Sequence, residues 1–135
     1  MADANRLFKV EIITPERIFY SGDAAMIEFT TTEGDIGVYK NHIPLTAVLS
    51  PGIVKITESS GVKKAAVHTG FAEILGDKVT LLAEIAEWPD EIDRNRAEEA
   101  KMRAERRLKV KESGLDVNRA EIALRKALVR INVVK

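Results

Sequence analysis

All seven aromatic residues of this chain fall at or before Trp88, and so do seven of its eight glycines. The 47 residues that follow are rich in Ala, Arg, Glu, Lys and Leu. Aromatic side chains and turn-forming glycines suit sheets and their connections, whereas Ala, Leu and long charged side chains lose little freedom in a helix. Charge divides at the same place. Residues 1–88 hold 8 Lys and Arg against 12 Asp and Glu, a net of −4, and residues 89–135 hold 13 against 9, a net of +4. The sequence therefore predicts two structural units, residues 1–88 and 89–135, meeting near Pro89. With 135 residues in all, that is one small domain and an appendage rather than two large cores.

The first unit reads as a succession of short strands. Leu7 to Ile13 is apolar apart from Lys9 and Glu11 and stops at Thr14-Pro15, where proline cannot donate to a ladder. Arg17 to Tyr20, Ala25 to Thr30, Leu45 to Leu49, Gly52 to Thr57, Val62 to His68, Phe71 to Leu75 and Lys78 to Ala86 continue the pattern. Turn signals separate them at Ser21-Gly22-Asp23, Ser50-Pro51-Gly52, Ser59-Ser60-Gly61, Thr69-Gly70 and Gly76-Asp77. Each strand must bury one face, and two packed antiparallel sheets achieve that within such a length. The expected fold is α+β, with an N-terminal antiparallel β-sandwich followed by a C-terminal antiparallel two-helix hairpin.

One stretch of the first unit departs from the hairpin rhythm. Thr32 to Leu45 holds Gly34, Gly37, the acids Glu33 and Asp35, and His42 ahead of Ile43-Pro44, which predicts a loop displayed at one edge of the sandwich. It is no phosphate-binding fingerprint, because no GxGxxG run or Gly-Lys-Ser/Thr ending is present and no helix follows. His68 lies in an apolar strand, as expected of a satisfied core or edge histidine. Two isolated histidines without carboxylates at matching spacing do not make a metal site.

The second unit opens at Trp88-Pro89-Asp90, a helix-start signal with acids at Asp90, Glu91 and Asp93. Helical residues run through Lys111-Glu112, break at Ser113-Gly114, and resume at Asp116 to about Asn132. Ala97, Ala100 and Ala104 on the first helix and Ala120, Ala123 and Ala127 on the second recur at helical spacing, so a seam of small residues brings the axes close. The first helix offers few other apolar groups beyond Leu108 and Val110. Such a pair buries too little to offset its ordering entropy alone and needs a neighbour.

The two helices also repeat each other. Ile92-Asp93-x-x-Arg96-Ala97 matches Leu115-Asp116-x-x-Arg119-Ala120 at an offset of 23 residues, with Arg103 and Arg107 opposite Lys126 and Arg130. Each Asp suits the positive start of a helix. Arg103 with Arg107, and Lys126 with Arg130, are like-charge neighbours four residues apart, which slightly destabilises an isolated helix and favours an anionic partner, either a polyphosphate or an acidic protein surface.

Other classes of function find less in the sequence. No nucleophile elbow, Ser/His/Asp order, P-loop or metal cluster is present, and no cysteine occurs, so an enzyme is not expected. No apolar run is long enough to span a bilayer, and the start Met1-Ala2-Asp3-Ala4-Asn5-Arg6 lacks the features of a signal peptide, so neither membrane spanning nor secretion by that route is expected. A basic helical hairpin that tracks nucleic-acid phosphates is the alternative, although the second unit has 9 acids among its 22 charges and no aromatic residue to stack on a base.

Taken together, the β-rich first unit, Glu33-Gly34-Asp35-Ile36-Gly37-Val38 leading to His42-Ile43-Pro44-Leu45, Gly70-Phe71-Ala72-Glu73-Ile74, Val79-Thr80-Leu81-Leu82-Ala83 and the Ala/Arg hairpin resemble the epsilon subunits of bacterial F-type ATP synthases over essentially the whole chain. The resemblance implies a non-catalytic rotor component, peripheral to the cytoplasmic face of the bacterial plasma membrane and held there through its complex. It implies that the sandwich binds the gamma subunit and the membrane rotor ring, the ring facing Glu33, Asp35 and His42. It also implies that the hairpin either folds against the sandwich or extends into the catalytic alpha/beta head and blocks ATP hydrolysis. Some members bind ATP in the folded hairpin through an Ile/Leu-Asp-x-x-Arg-Ala motif, which Ile92, Asp93, Arg96 and Ala97 match, with Glu87, Arg103, Lys126 and Arg130 in supporting places. ATP, with or without magnesium, is then a regulatory ligand; no cofactor or metal is required, and nucleic acid is not a partner.

Overall fold

A computed structural model of the chain describes residues 4–110 and 116–135. The described residues of the first unit form eight strands: β1 (Phe8–Ile13), β2 (Ile18–Ala24), β3 (Met26–Thr31), β4 (Gly34–Val38), β5 (Leu45–Leu49), β6 (Gly52–Glu58), β7 (Gly61–Ile74) and β8 (Lys78–Glu87). Hydrogen bonding connects them in the order β2-β1-β8-β7-β5-β3-β4, with β6 bridging β3 and β7. The sheet folds over on itself about the long β7, whose first half pairs with β6 and whose second half pairs with β5. Val10, Ile12, Ile27, Phe29, Ile56, Ile74 and Leu81 meet in one buried cluster between the layers. This is the expected sandwich, followed by the expected helices.

Four local expectations change. Residues 34–38 form strand β4 rather than a loop, pairing with β3 from Ile27↔Val38 to Thr31↔Gly34. Its glycines hid it, but an edge strand tolerates weak β-formers, and Gly34 at φ 122° supports the tight turn before it. Ser21-Gly22-Asp23 continues β2 instead of breaking it, because those residues pair with Lys9, Val10 and Glu11 of β1. Thr69-Gly70 is likewise not a turn but lies within β7. Finally, β1 and β8 pair in parallel, alone among the strand pairs described. Six strands separate those two in the chain, so no hairpin dictates their relative direction.

Gly70 does more than extend β7. Before it, Ala65 and Val67 face the core; after it, Ala72 and Ile74 do. The strand's alternation therefore slips by one residue near Gly70, which adopts φ 155° and approaches the backbone of Leu82 and Ala83 too closely for any Cβ. Because of the slip, Ala66 and His68 are fully buried yet stand outside the core cluster, on the face of β7 turned to the helices.

After a 3-10 turn at Pro89–Glu91 come α1 (Arg94–Val110) and α2 (Val117–Val133), which pack against each other. The Ser113-Gly114 break and Leu115 of the repeat lie outside the described residues. Asp116 caps α2, accepting from the Arg119 amide at 3.1 Å, as the repeat predicts. Ala97, Ala104, Ala120 and Ala127 are buried at the seam, Ala100 is half-buried, and Ala123 faces solvent instead of joining them. α2 lies against β6 and β7 and buries Ile131 and Val133, while α1 fully buries only Ala97 and Ala104. The hairpin thus rests on the sandwich mainly through α2.

Candidate functional site

Where the end of β8 runs into α1, a cleft of about 560 Å³ opens between the sandwich and the hairpin. Glu87, Ile92, Asp93, Arg96, Ala97, Arg103 and Arg130 line it. Seven of the eight residues implicated by the repeat and the resemblance are thereby brought together from β8, the turn, α1 and α2. Lys126 is half-buried on α2, one turn before Arg130, and is not part of the wall. Glu91, Glu99 and Ala100 complete the lining; the sequence marked Glu91 only as a helix-start acid and Ala100 only as a seam residue, and none of the three as part of a site. Glu91 had a readable signal, since it stands three residues after Trp88 and accepts that residue's amide at 2.9 Å.

The charges in the cleft are not equivalent. Asp93 caps α1, its Oδ1 accepting from the Arg96 amide at 3.2 Å. Glu91 takes both its oxygens to Arg17 at 2.8 Å, and that guanidinium, with the Trp88 amide, holds the carboxyl below its ordinary range. Trp88 itself stacks on Phe19 with ring centroids 4.3 Å apart, which fixes where the chain leaves the sheet. Arg96 and Arg103, by contrast, have no carboxylate within ion-pair distance among the described residues. They stand seven residues apart on one face of α1, two guanidinium forks open to an incoming anion.

Glu87 is the junction of the site. Its Oε1 accepts from Arg130 Nε at 2.7 Å and lies 3.0 Å from His68 Nε2, joining β8, α2 and β7 at one atom. Burial raises the Glu87 carboxyl, but hydrogen bonds from His68 and Arg130 outweigh it and leave the pKa below the usual value. His68 is a satisfied histidine at Nε2 only; its Nδ1 is buried with no hydrogen-bond partner among the described residues. Nothing in the strand pattern around Val67-His68 pointed to this role, because the slip at Gly70 turns His68 outward.

The residues matched to the ring contact sit elsewhere. Glu33 is exposed in the β3–β4 turn, and Asp35 on β4 accepts from the Thr30 hydroxyl at 2.8 Å. Both line a shallow depression of about 360 Å³ with Thr46 and Val48 of β5. His42 is outside it, its Nδ1 2.6 Å from the Ile43 carbonyl oxygen. Next to this edge, the outer face of the sheet carries an apolar row across five strands. Val48 is paired with Phe71, Phe71 with Leu82, Leu82 with Ile13 and Ile13 with Ile18. Four of the five are well exposed, from 46% at Val48 to 65% at Ile18. No metal-binding group of three or more His, Cys, Asp or Glu occurs among the described residues, and no described helix is long and apolar enough to cross a membrane.

Architecture and site define a two-unit protein, a β-sandwich carrying a helical hairpin. Its shape matches a chain in the cryo-EM structure of Euglena gracilis mitochondrial ATP synthase (OSCP/F1/c-ring, rotational state 1), with a TM-score of 0.82 at 20% identity over 99% of this chain and 85% of that one. A chain of the Tetrahymena thermophila mitochondrial ATP synthase central stalk and c-ring matches at 0.55 and 18% identity, over 94% of this chain and 92% of that one. The model of the ATP synthase delta/epsilon chain β-sandwich domain matches residues 7–89, and that of its long α-helix domain matches residues 90–135. The ATP synthase epsilon chains of Clostridium novyi (strain NT) and Caldanaerobacter subterraneus subsp. tengcongensis are 45% and 44% identical over 130 residues, 96% of this chain and 98% and 94% of theirs. The chain belongs to the ATP synthase delta/epsilon family and is an epsilon-type, non-catalytic subunit of that complex. This assignment replaces the nucleic-acid alternative.

Proposed function

We propose that this subunit works in the rotor of a proton-driven F-type ATP synthase, and that its hairpin regulates ATP hydrolysis by binding ATP in the docked state. The sandwich contacts the gamma subunit through the apolar row from Val48 to Ile18, and the rotor ring through the edge carrying Glu33, Asp35 and His42. The complex holds it at the cytoplasmic face of the bacterial plasma membrane. Released from the sandwich, the basic hairpin extends toward acidic surfaces of the catalytic alpha/beta head.

The observation that carries the regulatory reading is the cleft itself. Two unpaired arginines and a third from α2 converge on a space of about 560 Å³ that exists only while the hairpin is docked, and ordinary ligand pockets span about 300–1,000 Å³. A ligand that binds only the docked arrangement shifts the balance toward it, by about 2.7 kcal/mol at 100 times its dissociation constant. A weakly held α1 makes so modest a shift decisive.

Calorimetric titration of the full chain with ATP, with and without magnesium, tests this reading. Arg96→Ala and Arg103→Ala should each weaken binding at least about tenfold, the loss of one charge-assisted contact. Asp93→Asn keeps a capping oxygen and separates a ligand role from the helix cap. Unaltered ATP affinity in both arginine variants would overturn the assignment.

A further inference from the structure

A cleft that takes a polyanion should not present it with excess negative charge, yet this one is lined by more carboxylates than guanidiniums. Glu87, Glu91, Asp93 and Glu99 set four negative charges against the three arginines of the wall, a net of −1. Like charges beside a ligand lower its affinity unless something answers them. Three of the four are answered within the wall or by water. Glu87 is paired with Arg130 Nε at 2.7 Å, which leaves the terminal nitrogens of that guanidinium for a ligand. Asp93 faces the positive start of α1, and Glu99 is exposed to water. Glu91 has no such freedom. It closes the Pro89–Glu91 turn, its amide donating to the Trp88 carbonyl at 3.0 Å and its Oε1 accepting from the Trp88 amide at 2.9 Å, and Trp88 is stacked on Phe19.

The counter-charge for Glu91 comes from outside the wall. Arg17 lines no part of the cleft, yet its Nη2 donates to both Glu91 oxygens at 2.8 Å. The corner between β1 and β2 places it there. The Arg17 amide donates to Thr14 Oγ1 at 3.3 Å, the Thr14 amide donates to the Arg17 carbonyl at 3.0 Å, and the guanidinium lies 5.0 Å from the centroid of the Phe19 ring. With Arg17 included, the charges of the cleft and its support balance. We propose that Arg17 is a positioning residue of the anion cleft, holding the Glu91 carboxylate so that its charge does not oppose a polyphosphate bound between the sandwich and α1. Both partners are partly exposed, with 46% and 37% of their side-chain surface open, so the effect is moderate. Removing Arg17 leaves one uncompensated like charge beside the ligand, a factor of about five in affinity.

The inference rests on the ATP reading above, and one set of titrations separates the two. ATP is titrated calorimetrically into the full chain at pH 7.5 and low ionic strength, where screening is weak. Arg17→Gln should bind about fivefold more weakly than wild type, and Arg17→Lys, which keeps the positive charge, should recover most of the loss. Arg17→Gln combined with Glu91→Gln keeps an oxygen for the Trp88 amide but removes the uncompensated charge, and should recover it too. Glu91→Gln alone leaves Arg17 with an unpaired positive charge and should bind ATP more tightly than wild type. A clamp whose only work is to fasten the turn predicts otherwise, because each of these Gln variants breaks the same clamp and would weaken binding alike. The Glu91→Gln measurement also stands by itself if Arg17→Gln fails to fold. ATP affinity unchanged in Arg17→Gln, a double variant no better than Arg17→Gln, or weaker binding by Glu91→Gln overturns the role of Arg17 and leaves the ATP reading standing. Absence of ATP binding to the wild type sinks both.

Discussion

At the scale of single residues, Glu87 shows how one oxygen can hold two structural units together. Its carboxyl titrates below the ordinary value of 4.5 in the docked state, because His68 and Arg130 favour its charged form against the effect of burial. A group depressed on folding contributes stability that is complete above its unfolded pKa and is lost as pH falls through the folded one. Hairpin docking should therefore hold at neutral pH and weaken as acidity passes below about 4.5. Arg130→Ala removes one of the two groups that depress the carboxyl and a charge-assisted hydrogen bond worth about 1.5–3 kcal/mol. Hydrogen exchange of the α2 amides should be faster in that variant at pH 7, with a shallower acid dependence than wild type; identical exchange profiles would show that the pair does not hold the hairpin. The caps Asp93 and Asp116 were legible in the sequence because capping is local. His68 was not, since its role depends on groups 19 and 62 residues away along the chain.

At the scale of elements, β7 carries the most consequence. A Thr-Gly pair between two apolar runs reads as a turn, and in an isolated peptide that reading has force. Here β8 pairs with β7 on both sides of Gly70, from Ala66↔Glu87 to Ile74↔Val79, and ladder hydrogen bonds override the local preference. The glycine instead permits the slip that sends Val67 into the core and His68 toward the helices. Any side chain at this position would collide with the Leu82 backbone. Gly70→Ala should cost about 2–4 kcal/mol, in the range of strained or overpacked positions, and should disturb the His68–Glu87 contact as well. Denaturant unfolding measures the first effect; a loss below about 1 kcal/mol would mean that the strand relaxes around the methyl group. Strand β4 escaped notice for a related reason, since its glycines weaken the strand signal while pairing with β3 supplies the order.

At the scale of the whole molecule, the sandwich offers a rigid body with two distinct outer faces. One is covered by α2 along β6 and β7; the other bears the apolar row from Val48 through Phe71, Leu82 and Ile13 to Ile18. Exposed apolar patches that cross a whole sheet mark contact surfaces more often than accidents of composition. Phe71→Glu places a charge at the centre of that row without touching the core. Co-purification with gamma should drop at least about tenfold, while thermal stability of the isolated chain changes little. Undiminished recovery of gamma would assign its contact to another face.

Much of this protein was determined by composition and period alone. Most of the strands, the two helices with all of their alanine seam but Ala123, and the caps at Asp93 and Asp116 were legible because each is a short-range consequence of side-chain shape and backbone preference. The tertiary structure decided what those pieces face. It turned His68 outward, set Arg130 against Glu87 across 43 residues of chain, left Lys126 outside the cleft, and aligned five separate strands into one apolar row. Such juxtapositions arise from strand register and helix docking, which depend on contacts distant in the sequence, and no local pattern encodes them.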